Sequence, residues 1–323
     1  MQQQRNISLD ILRILACIGV ITIHTAGSVR WHGWAEPNSI QWNLAGTLDA
    51  MSRWSVPIFA MLTGFFFLNP EKEITIKKLF TKNIARIVVA LVVWSVFYAL
   101  TLHKPIYPFG SQEGHFWYLG MCIGLYLAVP IMRIIATNST LLKYFCWTWL
   151  ACKLYSFIGK FVVLPFDIIE LIFTDYVGYC LWAFYLSTLP KTKTLCYTMS
   201  ATTLLGLIIT IIGYIFSLEI DPHFGSYTSP TVIATSIGLF YLFSHQEIRL
   251  SEKWQRTIQF CSESTFGIYL IHMWLLINMF FRVHRFIETP IYVVLICIPA
   301  VFFIGWAITA IIKQIPVLKK WIV

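Results

Sequence analysis

Long apolar runs alternate with short polar or proline-containing breaks along the whole chain. A helix needs about 20 mostly apolar residues to cross the hydrocarbon core of a bilayer. The pattern therefore predicts about ten membrane-spanning helices, with bounds near 7–26, 45–68, 84–102, 117–136, 139–156, 170–189, 196–217, 228–245, 259–281 and 291–312. The short connections leave no room for an additional soluble domain. We predict an all-α, polytopic integral membrane protein in which residues 1–323 form a single transmembrane domain.

The region between the fifth and sixth predicted spans is the least regular part of this pattern. Lys153, Lys160, Pro165 and Asp167 interrupt its apolar character. The first apolar run contains two charged residues and lacks an A-x-A cleavage site. It is therefore predicted to be the first span rather than a cleavable signal peptide.

The composition supports a membrane protein. Hydrophobic residues make up 58% of the chain and charged residues 12%, about half the charged share of a soluble domain. These values exclude a water-soluble globular domain and a disordered chain. The eight cysteines lie mostly in apolar runs and form no C-x-x-C pair, which favours packing residues over disulfides or metal ligands. No metal is expected.

The basic residues predict the orientation of the chain. A formal net charge of +9 could indicate a nucleic-acid partner, but membrane proteins concentrate Lys and Arg on the cytoplasmic side. With the N-terminus inside, sixteen of the 24 basic residues fall on the cytoplasmic side, five fall outside and three lie within predicted spans. This bias predicts cytoplasmic termini, and it makes the lipid bilayer, not nucleic acid, the expected partner.

Three ionisable side chains share one face of the first predicted span, SLDILRILACIGVITIHT. Asp10 and Arg13 are i,i+3 neighbours, and the interval from Arg13 to His24 turns an α-helix about 20° beyond three full turns. The same interval rises about 16 Å, half the thickness of the hydrocarbon core. Arg13 is therefore predicted near the cytoplasmic surface and His24 toward the outer surface.

Each of these residues also has a simpler explanation. Arg13 could extend its side chain to the interface, Asp10 could serve only to pair with Arg13, and His24 could be a packing residue. Ionisable groups inside a bilayer are costly and usually face a polar interior or a pathway. A single face with a cation at one depth and a proton-transfer group at another favours a functional site.

The second predicted span, TLDAMSRWSVPIFAMLTGFFFL, contains Asp49 and Arg53 as i,i+4 partners. Because this helix enters from outside, the pair is expected at the depth of His24. It is either a structural ion pair or part of a site. Pro57 is predicted to kink the helix and to free carbonyl groups that must be satisfied inside the protein, and Gly64 is predicted to allow a close approach between helices.

Three further features carry two interpretations each. The stretch EKEITIKKLFTKNIAR, predicted to be a cytoplasmic loop, is the most basic in the chain; it either marks the cytoplasmic side or binds the phosphates of a cytosolic ligand. HFWYLG places His115, Trp117 and Tyr118 at the outer start of the fourth span, where such aromatic residues are also typical of the membrane interface. His272, in the middle of the ninth span, is either a core histidine or a functional one.

Other catalytic signatures are absent from the sequence, which has no Walker loop, no dinucleotide fingerprint, no H-E-x-x-H and no G-x-S-x-G. A transporter is the main alternative function, because ionisable residues on a common face also mark substrate and ion pathways. Against it, the chain has no repeat of half its length and no paired interrupted helices. A membrane scaffold is a third interpretation, and it gives Arg13 and His24 no purpose.

The order and spacing of these features resemble the membrane-bound acyltransferase-3 family, whose members transfer acetyl or other acyl groups to envelope glycans and related substrates. Arg13 and His24 match the family's R/K-x10-H signature. Further similarities lie at Val56–Phe59 (V-P-x-F), Thr63–Phe65 (S-G-F/Y), His115–Leu119 (HxWYL), Tyr126–Pro130 (YL-x-x-P) and Ser264–His272 (S-x-G-I-Y-L-I-H). The resemblance runs from about residue 5 to residue 310 and is greatest to the short, single-domain O-acetyltransferases.

This resemblance implies an O-acetyltransferase of the bacterial inner membrane that moves an acetyl group from cytoplasmic acetyl-CoA to a hydroxyl of an envelope glycan or lipid-linked sugar. It implies a role in transfer for His24, Asp49 and Arg53, with His24 as general base or transient acyl carrier. The residues implied in acetyl-CoA binding are Asp10, Arg13, Thr63, Lys82 and Arg86. Those implied in acceptor binding are His115, Trp117 and Tyr118.

Two positions depart from the family pattern. Thr63 replaces the usual serine but keeps the hydroxyl group. The family's R-x-x-R segment aligns with Asn83-Ile84-Ala85-Arg86, so one arginine is missing, and Lys82 is the expected substitute.

Overall fold

The computed structural model describes residues 6–103, 114–163, 175–216 and 223–323, and within these ranges the protein is entirely helical, without strands. The first half of the chain forms α1 (Ile7–Trp31), α2 (Ile40–Ser52), α3 (Ser55–Leu68), α4 (Ile76–Lys78), a π-helical segment (Leu79–Ile84), α5 (Ala85–Leu102), α6 (Trp117–Thr137) and α7 (Ser139–Ile158). The second half forms α8 (Asp175–Thr188), α9 (Lys193–Ile215), α10 (Pro230–Ser244), α11 (Glu252–His284), α12 (Pro290–Ile312) and α13 (Pro316–Trp321). Single 3-10 turns precede α6 (Gly114–Phe116) and α10 (His223–Gly225).

In the described part of the chain, seven helical segments are long and apolar enough to cross a membrane. They are Ile7–Trp31, Ile40–Leu68, Ile76–Leu102, Gly114–Thr137, Lys193–Ile215, Glu252–His284 and Pro290–Ile312. Helices α7, α8 and α10 correspond to three further predicted spans but do not meet the same criteria of length and apolarity. The protein is therefore an all-helical, multi-pass membrane protein, while the count of ten spans and the cytoplasmic termini stay predictions.

Several helices extend beyond the apolar runs that predicted them. The span predicted at 259–281 belongs to a helix of 33 residues, Glu252–His284. The basic stretch predicted as a loop is helical from Ile76 onward, so it joins the span predicted at 84–102. Hydropathy locates only the apolar part of a helix, because polar residues at its ends keep the backbone hydrogen bonds without adding apolar surface. Residues 170–174 of the sixth predicted span, with Pro165 and Asp167, lie outside the described residues.

Helix α1 lies at the centre of the bundle and contacts α2, α3, α10, α11 and α12. Its N-terminus is capped by Asn6, whose side-chain oxygen accepts hydrogen bonds from the amides of Ser8 and Leu9. Most of its residues are buried, although a surface helix would bury only one stripe. The ionisable face of α1 must therefore pack against other helices or line an internal cavity.

The second predicted span is broken into α2 and α3, and the break lies at Arg53 and Trp54. Pro57, in the first turn of α3, has no N–H to donate to the carbonyl of Arg53 four residues earlier, which explains an interruption at this point rather than at the proline itself. The Ser55 hydroxyl donates to the Ser52 carbonyl over 2.6 Å. The expected disruption by Pro57 is confirmed, and one neighbouring carbonyl is satisfied inside the protein.

Gly64 lets α3 and α8 approach closely. A Cβ atom at this position would lie 2.3 Å from the backbone of Cys180 on α8, a distance that real Cβ atoms do not reach. The close helix approach predicted at Gly64 is therefore confirmed.

An ion pair joins α7 to α8. Lys153 on α7 pairs with Asp175 at the start of α8, so one charge of the irregular region has a partner of opposite sign.

Candidate active site

A cavity of about 530 Å³ lies between α1, α3, α5, α6 and α11 and reaches the chain after α12. Its volume lies within the range of small-molecule sites. The residues that line it are Arg13, Val20, His24, Val56, Phe59, Thr63, Asn83, Arg86, Ile87, His115, Trp117, Tyr118, Cys122, Tyr126, Tyr227, Ser262, Glu263, Thr265, Phe266, Tyr269, Lys313, Lys319 and Val323. Arg13 and His24, the two residues of the R/K-x10-H signature, thus open onto one continuous space.

Four basic side chains mark one part of this cavity. Arg13 comes from α1, Arg86 from α5, and Lys313 and Lys319 from the chain after α12. Among the described residues, Glu263 is the one acidic side chain on the lining. The lining therefore has an excess of positive charge, which suits a ligand with several negative charges, such as a phosphorylated molecule.

Asp10 and Ser262 hold Arg13 in place. The Ser262 hydroxyl donates to Asp10 Oδ1 over 2.6 Å, and Arg13 Nη1 donates to Ser262 Oγ over 3.3 Å. Arg13 Nη1 also lies 3.7 Å from Asp10 Oδ1. Asp10 is buried and is not among the lining residues. The structure thus brings Asp10 to Arg13 but not to the cavity, and its position suits orientation of the guanidinium group.

Only two side chains of the basic stretch line the cavity. Asn83 and Arg86 line it, whereas Lys82 is exposed and is not among the lining residues. Arg86 donates through Nη2 to the carbonyl of Val323 and lies 5.3 Å above the ring of Phe266. The structure does not bring Lys82, the expected substitute for the missing arginine, to the other predicted donor residues.

Lys313 takes part in the site instead. Its Nζ donates to the hydroxyl of Ser264 over 3.1 Å and lies 5.1 Å from the centroid of the Phe260 ring. Burial lowers the pKa of Lys313 from its ordinary value, and Lys319 and Arg86 act in the same direction, although Glu263 opposes them. An anionic ligand beside Lys313 would favour its charged form.

Three histidines meet around the other signature residue. The ring centroids of His24 and His272 lie 5.2 Å apart, those of His115 and His272 5.0 Å, and those of His24 and His115 6.4 Å. His115 and His272 are buried, whereas His24 is partly exposed on the cavity. The described residues contain no group of His, Cys, Asp and Glu side chains suited to a metal ion. Imidazole rings accept and donate protons near neutral pH, and His24 opens onto the cavity, which makes the cluster a candidate for proton transfer.

Aromatic residues form much of the wall near the histidines. Trp117 stacks on Tyr227, with ring centroids 6.0 Å apart and planes 25° apart. Tyr118 lies beside Tyr269, with centroids 5.2 Å apart. Trp117 and Tyr118 therefore face the cavity in addition to any contact with the membrane interface. Thr63 also lines the cavity, while its hydroxyl donates to the Phe59 carbonyl over 2.9 Å.

Asp49 and Arg53 form a buried, two-pronged ion pair at the break between α2 and α3. Arg53 Nε donates to Asp49 Oδ1 over 2.7 Å, and Arg53 Nη2 donates to Oδ2 over 2.8 Å. Neither residue lines the cavity. The Arg53 guanidinium lies 5.6 Å from the ring of Tyr227, which does line it, and 5.3 Å from the ring of Tyr214. The pair therefore supports the cavity wall from behind.

The structure gathers nine of the eleven predicted site residues on the cavity or directly behind its wall, and it separates Lys82 from them. Asp10 belongs to the site only through Arg13. Sequence reasoning did not assign His272, Tyr227, Lys313 or Lys319. His272 could be noticed in the sequence as an ionisable residue in the middle of a predicted span. The two lysines matched the ordinary excess of basic residues on the cytoplasmic side, and no sequence pattern indicated Tyr227.

A family model for the acyltransferase-3 acyltransferase domain matches residues 6–310 of the chain. The matched range includes α1–α11, most of α12 and the three histidines of the cluster. No curated protein and no solved structure matches the chain.

Proposed function

The chain belongs to the acyltransferase-3 family, and from this premise we propose that it transfers an acetyl group from cytoplasmic acetyl-CoA to a hydroxyl of a cell-envelope glycan or its lipid-linked precursor. We place it in the plasma membrane of a bacterium. Membership of this family favours an acyltransferase over a transporter as the function of the chain. The observation that carries the proposal is that one cavity joins a group of basic side chains to a histidine cluster.

The basic part of the cavity fits the phosphates of coenzyme A. Arg13, Arg86, Lys313 and Lys319 offer guanidinium and ammonium donors to an anion. Asn83 adds an uncharged side chain at the position of the family's missing arginine. The rise of α1 separates Arg13 from His24 by about 16 Å, a length suited to an extended pantetheine arm. The aromatic and apolar wall between them suits an uncharged chain of this kind.

His24 is the residue that we place at the reacting atoms. It would accept the proton of the acceptor hydroxyl as the hydroxyl oxygen bonds to the acyl carbon, and it would then protonate the thiolate released when the carbon–sulfur bond breaks. The net result is that one proton moves from the acceptor hydroxyl, through His24, to the leaving thiolate. The partial exposure of His24 on the cavity gives the ring access to both reactants.

The acceptor is proposed to bind on the aromatic side of the histidine cluster. His115, Trp117 and Tyr118 line this part, and Tyr227 completes the wall. Flat aromatic surfaces suit the faces of sugar rings. Arg53 lies behind Tyr227 and is held by Asp49, so we assign this pair to positioning the wall.

Mass spectrometry of envelope glycans tests the proposed function. Cells that express the wild-type chain should carry a glycan heavier by one acetyl group than the glycan of cells with an empty vector. His24→Ala should remove this increment at equal membrane abundance. If the His24→Ala variant still acetylates the glycan, the proposed mechanism is wrong. If the glycan changes in amount or location but not in mass, the protein is a transporter.

Reporter fusions test the proposed orientation. With both termini in the cytoplasm, green fluorescent protein fused to either end should fluoresce, and alkaline phosphatase fused to the same ends should be inactive. An active phosphatase fusion at one end would place that end outside and make the number of spans odd.

A further inference from the structure

His272 has no role in the proposed transfer, although it is the most enclosed member of the histidine cluster. Its side chain is fully buried on α11 and does not line the cavity. Its ring centroid lies 5.2 Å from that of His24. His272 therefore lies behind His24 as seen from the cavity, and the two rings are close enough to be in contact.

The two nitrogens of His272 have different surroundings. Nδ1 faces the carbonyl oxygen of Tyr269 at hydrogen-bond distance. Because a carbonyl oxygen can only accept, Nδ1 carries the proton, and Nε2 of the neutral ring has a lone pair. Nε2 is buried and has no hydrogen-bond partner among the described residues. A buried polar atom without a partner is costly and rare, which suggests that Nε2 serves a group that bonds to it in a working state.

The surrounding residues hold His272 from two directions. The Tyr269 hydroxyl donates to the backbone carbonyl of His115, which ties α11 to the turn before α6. The Tyr98 hydroxyl of α5 donates to the Leu270 carbonyl over 3.0 Å and accepts from the Trp274 amide over 2.9 Å. In an α-helix, such carbonyl and amide groups bond to each other. A side chain inserted there fixes the backbone on both sides of His272.

We propose that His272 is a positioning residue for His24. In the working state its Nε2 accepts a hydrogen bond from one ring nitrogen of His24. This bond fixes the tautomer of His24, so that the other nitrogen presents its lone pair to the acceptor hydroxyl. When His24 takes the hydroxyl proton, both of its nitrogens carry protons, and His272 Nε2 stabilises the resulting imidazolium. The proton then passes to the leaving thiolate, and both histidines return to their starting state.

This role follows the logic by which a buried acceptor orients a catalytic histidine in hydrolases, with a neutral nitrogen in place of a carboxylate. His115 is a weaker candidate for it, because its ring lies farther from His24 and itself lines the cavity. The inference rests on the proposed function, since it assigns a task to a residue that acts only through His24.

The test uses membranes from cells that express the full chain, with [¹⁴C]acetyl-CoA as donor and the label in the extracted glycan and glycolipid fraction as readout. His272→Phe fills the space without an acceptor. His272→Asn keeps a polar group near Nδ1, and His272→Gln places an oxygen near Nε2. His245→Gln is the matched control, because His245 is also held by backbone carbonyls but does not line the cavity.

His272→Phe and His272→Asn should lower the maximal labelling rate at least about tenfold, because orienting groups of this kind contribute large factors. The KM for acetyl-CoA should stay within about twofold, since His272 does not contact the donor. His272→Gln should recover a clear part of the rate, and His245→Gln should equal the wild type. Thermal unfolding of each purified variant in detergent excludes a folding defect as the cause.

Two results would overturn the inference. One is a wild-type rate in a folded His272→Phe variant. The other is an equal loss in the Phe, Asn and Gln variants, which would indicate packing alone. Failure of the inference and failure of the proposed function give different results. If wild-type membranes incorporate no more label than vector membranes, the proposed function fails first, before any His272 variant is compared.

Discussion

Arg13 and His24 lie on the same cavity and on the same face of one helix, α1. Their separation along this helix assigns them to different tasks, with Arg13 at the donor phosphates and His24 at the reacting atoms. Arg13→Gln should raise the KM for acetyl-CoA about tenfold, because the loss of one charged hydrogen bond weakens binding by about this factor. The maximal rate should stay nearly unchanged. His24→Gln should abolish the rate and leave donor binding intact. Initial labelling rates and equilibrium binding of acetyl-CoA measure the two effects. A loss of donor binding in His24→Gln would contradict the division.

The lysines after α12 provide a second test, because they replace Lys82 at the cavity. Lys313→Gln and Lys319→Gln should each raise the KM for acetyl-CoA several-fold, with a larger effect for Lys313 because it is more buried. Lys78→Gln is the matched control, since Lys78 is exposed and belongs to the same basic stretch as Lys82. Lys82→Gln should behave like the control. If Lys82→Gln weakens donor binding and Lys313→Gln does not, the sequence-based assignment is right and the structural one is wrong.

The pKa of Lys313 predicts how donor binding depends on pH. Burial lowers this pKa from the ordinary lysine value, so Lys313 loses its positive charge at a lower pH than an exposed lysine. Phosphates keep their negative charge over this range. The affinity for the donor should therefore fall as the pH rises, beginning at a lower pH than the ordinary lysine pKa would give. In Lys313→Arg the affinity should stay nearly constant, because a guanidinium does not deprotonate there.

Equilibrium binding of desulfo-CoA to the purified protein measures this dependence, because that probe has neither a thioester nor a thiol that titrates. Ionic strength is held constant, since charge–charge attraction is screened by salt. An equal decline in the wild type and in Lys313→Arg would assign the pH effect to another group.

The Asp49–Arg53 pair can be tested for a structural role and a positioning role separately. Asp49→Asn leaves the Arg53 charge buried without its carboxylate and should destabilise the protein by about 3–5 kcal/mol. The double variant Asp49→Leu/Arg53→Met removes both charges and should recover most of this loss. Thermal or denaturant unfolding in detergent measures the difference. If the stable double variant also recovers full transfer activity, the pair has only a structural role; we expect its activity to stay low, because Arg53 supports Tyr227.

Gly64→Ala tests the packing of α3 on α8, and Gly124→Ala on α6 is the matched control. Gly64→Ala places a Cβ atom 2.3 Å from the Cys180 backbone, which must move, so we expect a loss of about 1–3 kcal/mol in stability. Gly124→Ala on α6 meets nothing within 4 Å and should be neutral or slightly stabilising, because alanine is the better helix former. Unfolding midpoints of the two variants in the same detergent measure this contrast. Equal stability of the two variants would mean that α3 and α8 separate without cost.

Local properties of the sequence predicted much of the fold. The apolar runs identified a membrane protein made of helices, because spanning a bilayer requires a stretch of apolar residues long enough to satisfy its own backbone. The shared face of Arg13 and His24 also followed from the sequence, since helical periodicity is a property of one segment. The same reasoning predicted a distortion at Pro57 but did not locate the helical start at Ile76, because backbone bonds continue into polar residues that hydropathy does not count.

Only the tertiary structure decided which distant residues share the site. His272 and Lys313 lie on segments far along the chain from α1, and packing brings them to His24 and to Arg13. Asn83 and Arg86 line the cavity, whereas Lys82 of the same basic stretch does not. No local pattern encodes these relationships, because they depend on how α5, α11 and the chain after α12 pack around α1. The sequence by itself determined a membrane helix with a cation and a histidine on one face, and the packed bundle determined what each of them contacts.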